Sequence, residues 1–166
     1  VALAEALTGV AKVDVALKWP NDLMIGGRKL GGILAEWCES PSGPGVVVGM
    51  GINVTLREEE LPVPTATSLA LAGAECLDRD TLLRAMLRGL ERWYTLWRVD
   101  RGSPVDVIPA YRARCATIGR EVSVALPSGR MLQGTATGVD DDGQLVVTET
   151  DGTRTALSAG DVVHVR

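Results

Sequence analysis

Apolar residues Val1, Leu3, Ala4 and Leu7 recur at helical spacing ahead of Gly9, so residues 1–9 read as an amphipathic helix stopped by glycine. Alternation takes over at residues 13–19, a strand that Pro20 ends because proline supplies no ladder donor. Two further apolar runs, 23–25 and 30–37, flank Gly26-Gly27, a dipeptide suited to a tight hairpin. After a Pro/Gly/Ser loop at 40–45, residues 45–54 form a fourth strand. The pattern predicts a largely antiparallel meander. Residues 55–64 carry Glu58-Glu59-Glu60 and two prolines, which predicts a mobile surface loop, and 68–74 reads as one or two helical turns. Asp80 is the expected N-cap of a long helix whose apolar positions are Leu83, Met86, Leu87, Leu90, Trp93, Tyr94 and Trp97. Trp93 and Trp97 share a helical face and are read as core. A shorter helix is expected over 105–115.

From Arg120 the rhythm shortens. Runs at 122–126, 131–139, 145–148, 153–157 and 162–165 are separated by Pro127-Ser128-Gly129, Asp140-Asp141-Asp142-Gly143 and Asp151-Gly152, all turn chemistry. Five short strands predict a small SH3-like barrel. The expected division is residues 1–117 and 118–166.

Composition narrows the partners. Residues 1–115 carry 13 basic and 14 acidic side chains, and residues 116–166 carry 4 and 7. With a net charge of −4 and no basic surplus in either part, nucleic acid is not an expected partner. No apolar run is long enough to cross a membrane. Cys38, Cys76 and Cys115 are widely spaced and form no CxxC pair, which fits reduced thiols in a cytoplasmic protein and no metal site. His164, in the last strand, is read as packing or solvated, and with a single histidine no Ser-His-Asp or Cys-His triad can form. Asp140–142 lacks the alternating ligands of a calcium loop and is read as a hairpin turn.

The unusual residues gather in the first third. Lys18-Trp19-Pro20-Asn21-Asp22 places a cation, an indole, a rigid turn, an amide and a carboxylate at one strand end. Loops at strand ends are where scaffolds carry function. Arg28-Lys29 then opens a strand containing Gly31-Gly32, and Gly49 and Gly51 interrupt the next one. Glycine weakens a strand, so these four need a reason. They are either bulges in a twisted sheet or the backbone wall of a slot for a flat, mostly apolar ligand.

The strings Lys18–Leu23, Arg28–Leu34 and Gly49–Asn53, with a small barrel behind them, closely resemble the biotin–protein ligases. The resemblance implies an α+β fold: the second half of a catalytic domain similar to that of class II aminoacyl-tRNA synthetases, followed by the SH3-like barrel. It implies that ATP, with Mg²⁺, and biotin form biotinyl-AMP. A lysine of the biotin carboxyl carrier protein domain of acetyl-CoA carboxylase, or of a related carboxylase, then takes the biotin. Lys29 matches the family's essential lysine. Asn53 matches the asparagine that contacts the adenylate, Asn21 and Asp22 are expected to orient lysine, nucleotide or Mg²⁺, and Gly32, Ile33, Gly49 and Ile52 are expected to form the biotin slot. The family's Arg/Gly-rich loop and Ser/Thr-Asn segment occur nowhere in the 166 residues, and the chain opens inside a helix, so it reads as a piece of a longer ligase. Lipoate–protein ligase and a non-catalytic interaction module are the alternatives. The strand at 45–54 offers an edge for a homodimer.

Overall fold

The computed structural model describes residues 1–41, 43–99, 105–127 and 129–165. Ser42 in the first predicted loop and Ser128 in the first barrel turn lie outside the described residues. The first unit opens with helix α1 (Ala2–Ala11), which runs through Gly9 instead of stopping there. Its end falls at Lys12, in the left-handed region with φ 56°. A non-glycine residue takes the terminating conformation, so the glycine marks no boundary.

Four strands follow: β1 (Ala16–Lys18), β2 (Asp22–Ile25), β3 (Arg28–Cys38) and β4 (Gly45–Ile52). They pair in that order, all antiparallel, as the alternation predicts. β1 is shorter than the expected 13–19, although Val13 and Val15 are buried ahead of it. Gly26 and Gly27 both have positive φ, 56° and 78°, and close the β2–β3 hairpin in the conformation such a two-residue turn demands.

Helix α2 (Arg79–Val99) packs against α1, and both cover one face of the sheet. The core between them joins Leu3, Leu7 and Ala11 to Val15, Leu23, Leu30, Leu82 and Met86. The cap of α2 is Asp78, not Asp80: the Asp78 carboxylate accepts from the Thr81 N–H at 2.8 Å. Asp80 sits in the first turn and pairs with Arg84. The helix was expected to bury one stripe, but its buried face is Leu82 and Met86 with Leu90 and Trp93 beside them. Leu83, Leu87 and Tyr94 are exposed, and Trp97, expected in the core, stacks on Tyr94 instead. Residues four apart are offset by about 40° around the helix axis, which carries the second indole off the narrow contact line.

Helix α3 (Val107–Arg112) is shorter than the expected 105–115 and gives way to turns. Then come β5 (Glu121–Ala125), β6 (Met131–Val139), β7 (Leu145–Thr148), β8 (Arg154–Leu157) and β9 (Asp161–His164), an antiparallel sheet in the order β8-β7-β6-β5-β9. Alternate residues point inward (Val122, Val124, Leu132, Ala136, Leu145, Val147 and Val162) and form a second core. The Asp140 carboxylate accepts from the Asp142 and Gln144 N–H groups, so the acidic run is a hairpin turn.

The strand glycines divide by what surrounds them. A Cβ on Gly31 would lie 2.0 Å from the Gly51 carbonyl oxygen, whereas one on Gly49 would meet only the Leu34 carbonyl oxygen at 3.8 Å. Gly31 is therefore required by strand approach alone. Gly31→Ala is expected to lower the stability of this chain by about 1–3 kcal/mol through overpacking. Gly49→Ala should leave the urea midpoint within experimental scatter; equal losses in the two melts would contradict this account.

Candidate active site

The β2–β3–β4 register places Asp22 beside Gly32, and Gly32 beside Gly51, in one row on the sheet. The alternate row includes Leu23, Ile33 and Ile52, which face the helices and their core. Asp22 is thus raised off the sheet on the side away from α1 and α2. There its Oδ1 meets the Lys29 Nζ at 2.6 Å, while its Oδ2 is 3.8 Å from the Lys18 Nζ. Asp22 and Lys18 are mostly covered, and Lys29 is half exposed, so the carboxylate is fixed and the ammonium reaches solvent. A Cβ on Gly32 would stand 3.4 Å from the Asp22 Oδ1 and 3.8 Å from the Lys29 Cε. Glycine at 32 keeps the ion pair uncrowded.

Beside this pair is a cleft of about 460 Å³. Its floor is the backbone of Gly31, Gly32 and Gly51, with Lys29, Ile52 and Asn53 at its sides and Pro62, Val63 and Ala66 opposite. The walls are mainly apolar, with a cation and an amide as the polar groups, which is the make-up of a small-molecule site. Residues 65–67 run alongside the start of β3: the Lys29 N–H donates to the Thr65 carbonyl and the Thr67 N–H to the Lys29 carbonyl, both at 2.8 Å. These bonds hold the base of Lys29 while leaving its side chain free to meet a ligand.

Of the residues selected from sequence, Lys29, Gly32, Ile52 and Asn53 line the cleft, with Asp22 behind Lys29. The Asn53 amide donates to the Thr67 carbonyl at 2.9 Å, tying the end of β4 to the opposite wall. Asn21 is spent on the frame: its amide donates to the Ile33 carbonyl at 2.7 Å, and its own carbonyl accepts from the Ile33 N–H at 2.9 Å. Ile33 pairs with Met50 on the helix side, and Gly49 pairs with Leu34 further out; neither borders the cleft. Gly31 and Gly51, two of the four glycines read as a possible slot wall, also line the cleft, whereas Pro62, Val63 and Ala66 were not selected from sequence. The signal for the glycines was present in their strands; nothing in the local pattern of 62–66 announces that this segment folds back over β3.

Residues 55–64, expected to be a mobile loop, contain a 3-10 turn at Glu58–Glu60. Three adjacent carboxylates would repel one another, but Arg57 pairs with Glu59 and Glu60 and Arg28 pairs with Glu58. The hydrogen bonds from Arg57 hold the Glu60 carboxyl below its ordinary range. Arg28 also donates to the Pro64 carbonyl, so one guanidinium ties the hairpin to the segment that supplies Pro62 and Val63.

Behind the site, the Tyr111 ring touches both cores. Burial first, then the Cys115 thiol and the Asp22 charge, push its phenol far above the ordinary range, so it remains protonated. His164, in β9, lies 3.2 Å from the Thr117 hydroxyl. Burial, reinforced by Lys18 and Arg120, lowers its imidazole below the usual value.

A helix-backed antiparallel sheet, a glycine-floored cleft carrying one fixed lysine, and a following SH3-like barrel define a protein of the biotin and lipoate ligase class. Residues 1–53 match the biotin/lipoate A/B protein ligase family, and residues 117–165 match the biotin protein ligase C-terminal domain. The chain belongs to the biotin protein ligases. It is 42% identical over 160 residues to the biotin–[acetyl-CoA-carboxylase] ligase of Mycobacterium tuberculosis, covering 96% of this chain and 57% of that protein. It is 30% identical over 154 residues to the bifunctional ligase/repressor BirA of Escherichia coli, covering 92% of this chain and 47% of that one. The chain therefore spans about half the length of these relatives. The apo biotin protein ligase of Aquifex aeolicus has the same fold, with a TM-score of 0.83 at 24% identity over 99% of this chain and 72% of that chain. The same enzyme has been solved in complex with biotin and ATP, with a TM-score of 0.79 at 23% identity, covering 99% and 68%.

The Arg28–Glu58 pair yields a prediction. In Glu58→Gln, amide hydrogen exchange across residues 57–63 is expected to speed up severalfold while β2 and β3 are unaffected. Unchanged exchange would mean that Arg57 alone orders the turn.

Proposed function

We propose that this chain supplies the lysine-bearing half of an ATP-dependent biotin ligase site that forms biotinyl-AMP and passes biotin to a carrier lysine. One observation carries the reading: an ammonium held by Asp22 at the edge of a glycine-floored, apolar-walled cleft. In the first step the biotin carboxylate oxygen attacks the α-phosphorus of ATP, and the bond to pyrophosphate breaks. Two anions approach and negative charge grows on the phosphoryl oxygens. A preorganised cation in a water-poor site lowers that barrier. Lys29 is positioned for this role, and the amide side chain of Asn53 lies across the cleft for the adenylate. The backbone of Gly32, Gly51 and Ile52 offers a flat wall to the biotin rings, with the Ile33 side chain packed behind it and Gly49 further out on the same strand pair. In the second step the neutral amine of a carrier lysine attacks the acyl carbon and AMP leaves as the phosphate, with Lys29 again beside the charge.

Asp22 keeps the Lys29 side chain extended toward the cleft. Asn21 fixes the turn that carries Asp22. Among the described residues no three His, Cys, Asp or Glu side chains are placed to hold a metal ion; Mg²⁺ is expected with the nucleotide phosphates. The expected acceptor is the biotin carrier domain of acetyl-CoA carboxylase or a related carboxylase. The proposed place of the reaction is the cytoplasm; no described helix is long and apolar enough to cross a membrane. The proposed working units are residues 1–117 for the site and 118–166 for the barrel. The exposed edge of β4 leaves room for a second copy to pair. The match to the biotin protein ligase C-terminal domain favours biotin over lipoate as the substrate.

The test is ATP–pyrophosphate exchange driven by biotin, in the chain alone and joined to the segment that precedes the matched region in its relatives. Exchange with biotin and not with lipoate is expected from the joined protein, and Lys29→Ala should reduce it at least ~100-fold, the scale of one charge-stabilising group. No exchange from the joined protein would overturn the assignment. Near-normal turnover in Lys29→Ala would remove this lysine from the chemistry.

A further inference from the structure

Trp19 lies within the motif that builds the site, yet its side chain belongs to the other unit. The indole is 3% exposed and packs with Cys115, Val122, Leu132 and Leu145 in the core of the barrel. Its Nε1–H donates to the Gly143 carbonyl in the β6–β7 turn at 3.0 Å. Its backbone N–H donates at 3.1 Å to the hydroxyl of Thr117, which is fully buried and 3.2 Å from the His164 ring. Alongside, the Leu17 N–H donates to the Arg114 carbonyl and the Ala116 N–H to the Leu17 carbonyl, so the chain entering the barrel pairs with β1.

Three residues beyond this anchor stands Asp22. Between them the Asn21 backbone and side chain both bond to Ile33. The turn from Trp19 to Asp22 is therefore clamped by the barrel at one end and by β3 at the other. A carboxylate must be placed to within a fraction of an ångström to hold an ammonium at 2.6 Å; Asp22 opens β2 between Lys18 and Gly32, and the two clamps fix the turn that delivers it there. We infer that Trp19 is a positioning residue for Lys29: the barrel grips its indole, and the grip sets Asp22 and through it the reacting ammonium. The barrel thus acts on the chemistry from behind the sheet without touching the cleft residues. The inference rests on the reading of Lys29 as the adenylating cation, but the coupling itself is measurable without turnover.

The decisive comparison sets Trp19→Phe, which keeps a buried ring but loses the Gly143 hydrogen bond, against Val162→Ala, which opens a cavity in the same core but keeps that hydrogen bond. The first readout is the ¹H–¹⁵N signal of the Lys29 ammonium in the 166-residue chain, a report on its pairing with Asp22; the second is kcat against KM for biotin in the joined protein. Trp19→Phe is expected to shift or broaden the Lys29 signal and to lower kcat about tenfold, with KM within about twofold, the scale of a sub-ångström misplacement. Val162→Ala is expected to lower the melting temperature at least as much while leaving the Lys29 signal and kcat unchanged. Equal effects from both variants would reduce Trp19 to a stability residue, and an undisturbed Lys29 signal in Trp19→Phe would overturn the coupling. If the Lys29 signal moves but the unsubstituted joined protein shows no exchange, the ligase reading fails and the coupling stands.

Discussion

The Lys29–Asp22 ion pair is the contact around which the described structure is arranged. Its value is not stability. A pair with one partner half exposed contributes at most about 1 kcal/mol, and often nothing measurable. What it supplies is direction: a long, flexible ammonium is kept extended at the mouth of a cleft. The surroundings serve that geometry. Gly32 leaves room for the pair, the segment 65–67 bridges to the Lys29 backbone, and the register of β2 with β3 brings the two residues together.

The cleft follows from the same sheet. Gly31 allows β3 and β4 to approach more closely than any side chain would permit, and Gly51 and Gly32 leave bare backbone as a floor. A flat ligand can then lie against peptide groups with Ile52, Pro62 and Val63 around it. The glutamate-rich turn is held over this region by arginines, one of them adjacent to Lys29 in the hairpin. The molecule therefore orders two of its positive charges differently: Arg28 ties the frame, and Lys29 is held at the mouth of the proposed site.

The barrel is not an appendage on a string. The linker into it pairs with β1, Trp19 fills part of its core, and Tyr111 contacts both cores. A second, small β-unit with its own core has surface to spare, and here part of that surface is spent on gripping the motif turn. This explains why a tryptophan stands in a string of otherwise polar or turn-forming residues: Lys18 and Asp22 pair beside the cleft, while the indole belongs to the barrel core.

Much of this was legible in the residues. Period-two alternation defined the four-stranded meander and the barrel, and Gly26-Gly27 defined its hairpin, because these depend on local backbone preference and on which face must be buried. The motif strings named the family and selected Lys29. Ends of helices were read less well: Gly9 was passed through because Lys12 took the left-handed turn, and Asp78 captured the cap ahead of Asp80. Such choices are separated by fractions of a kcal/mol that packing overrides. What only the tertiary structure decided were the long-range meetings: Trp19 with Gly143 across 124 positions, Trp93 rather than Trp97 against the core, and residues 62–66 folded over β3. Local pattern fixes which side of an element is apolar. Which apolar side finds a partner depends on where other elements lie, and that is a property of the whole chain.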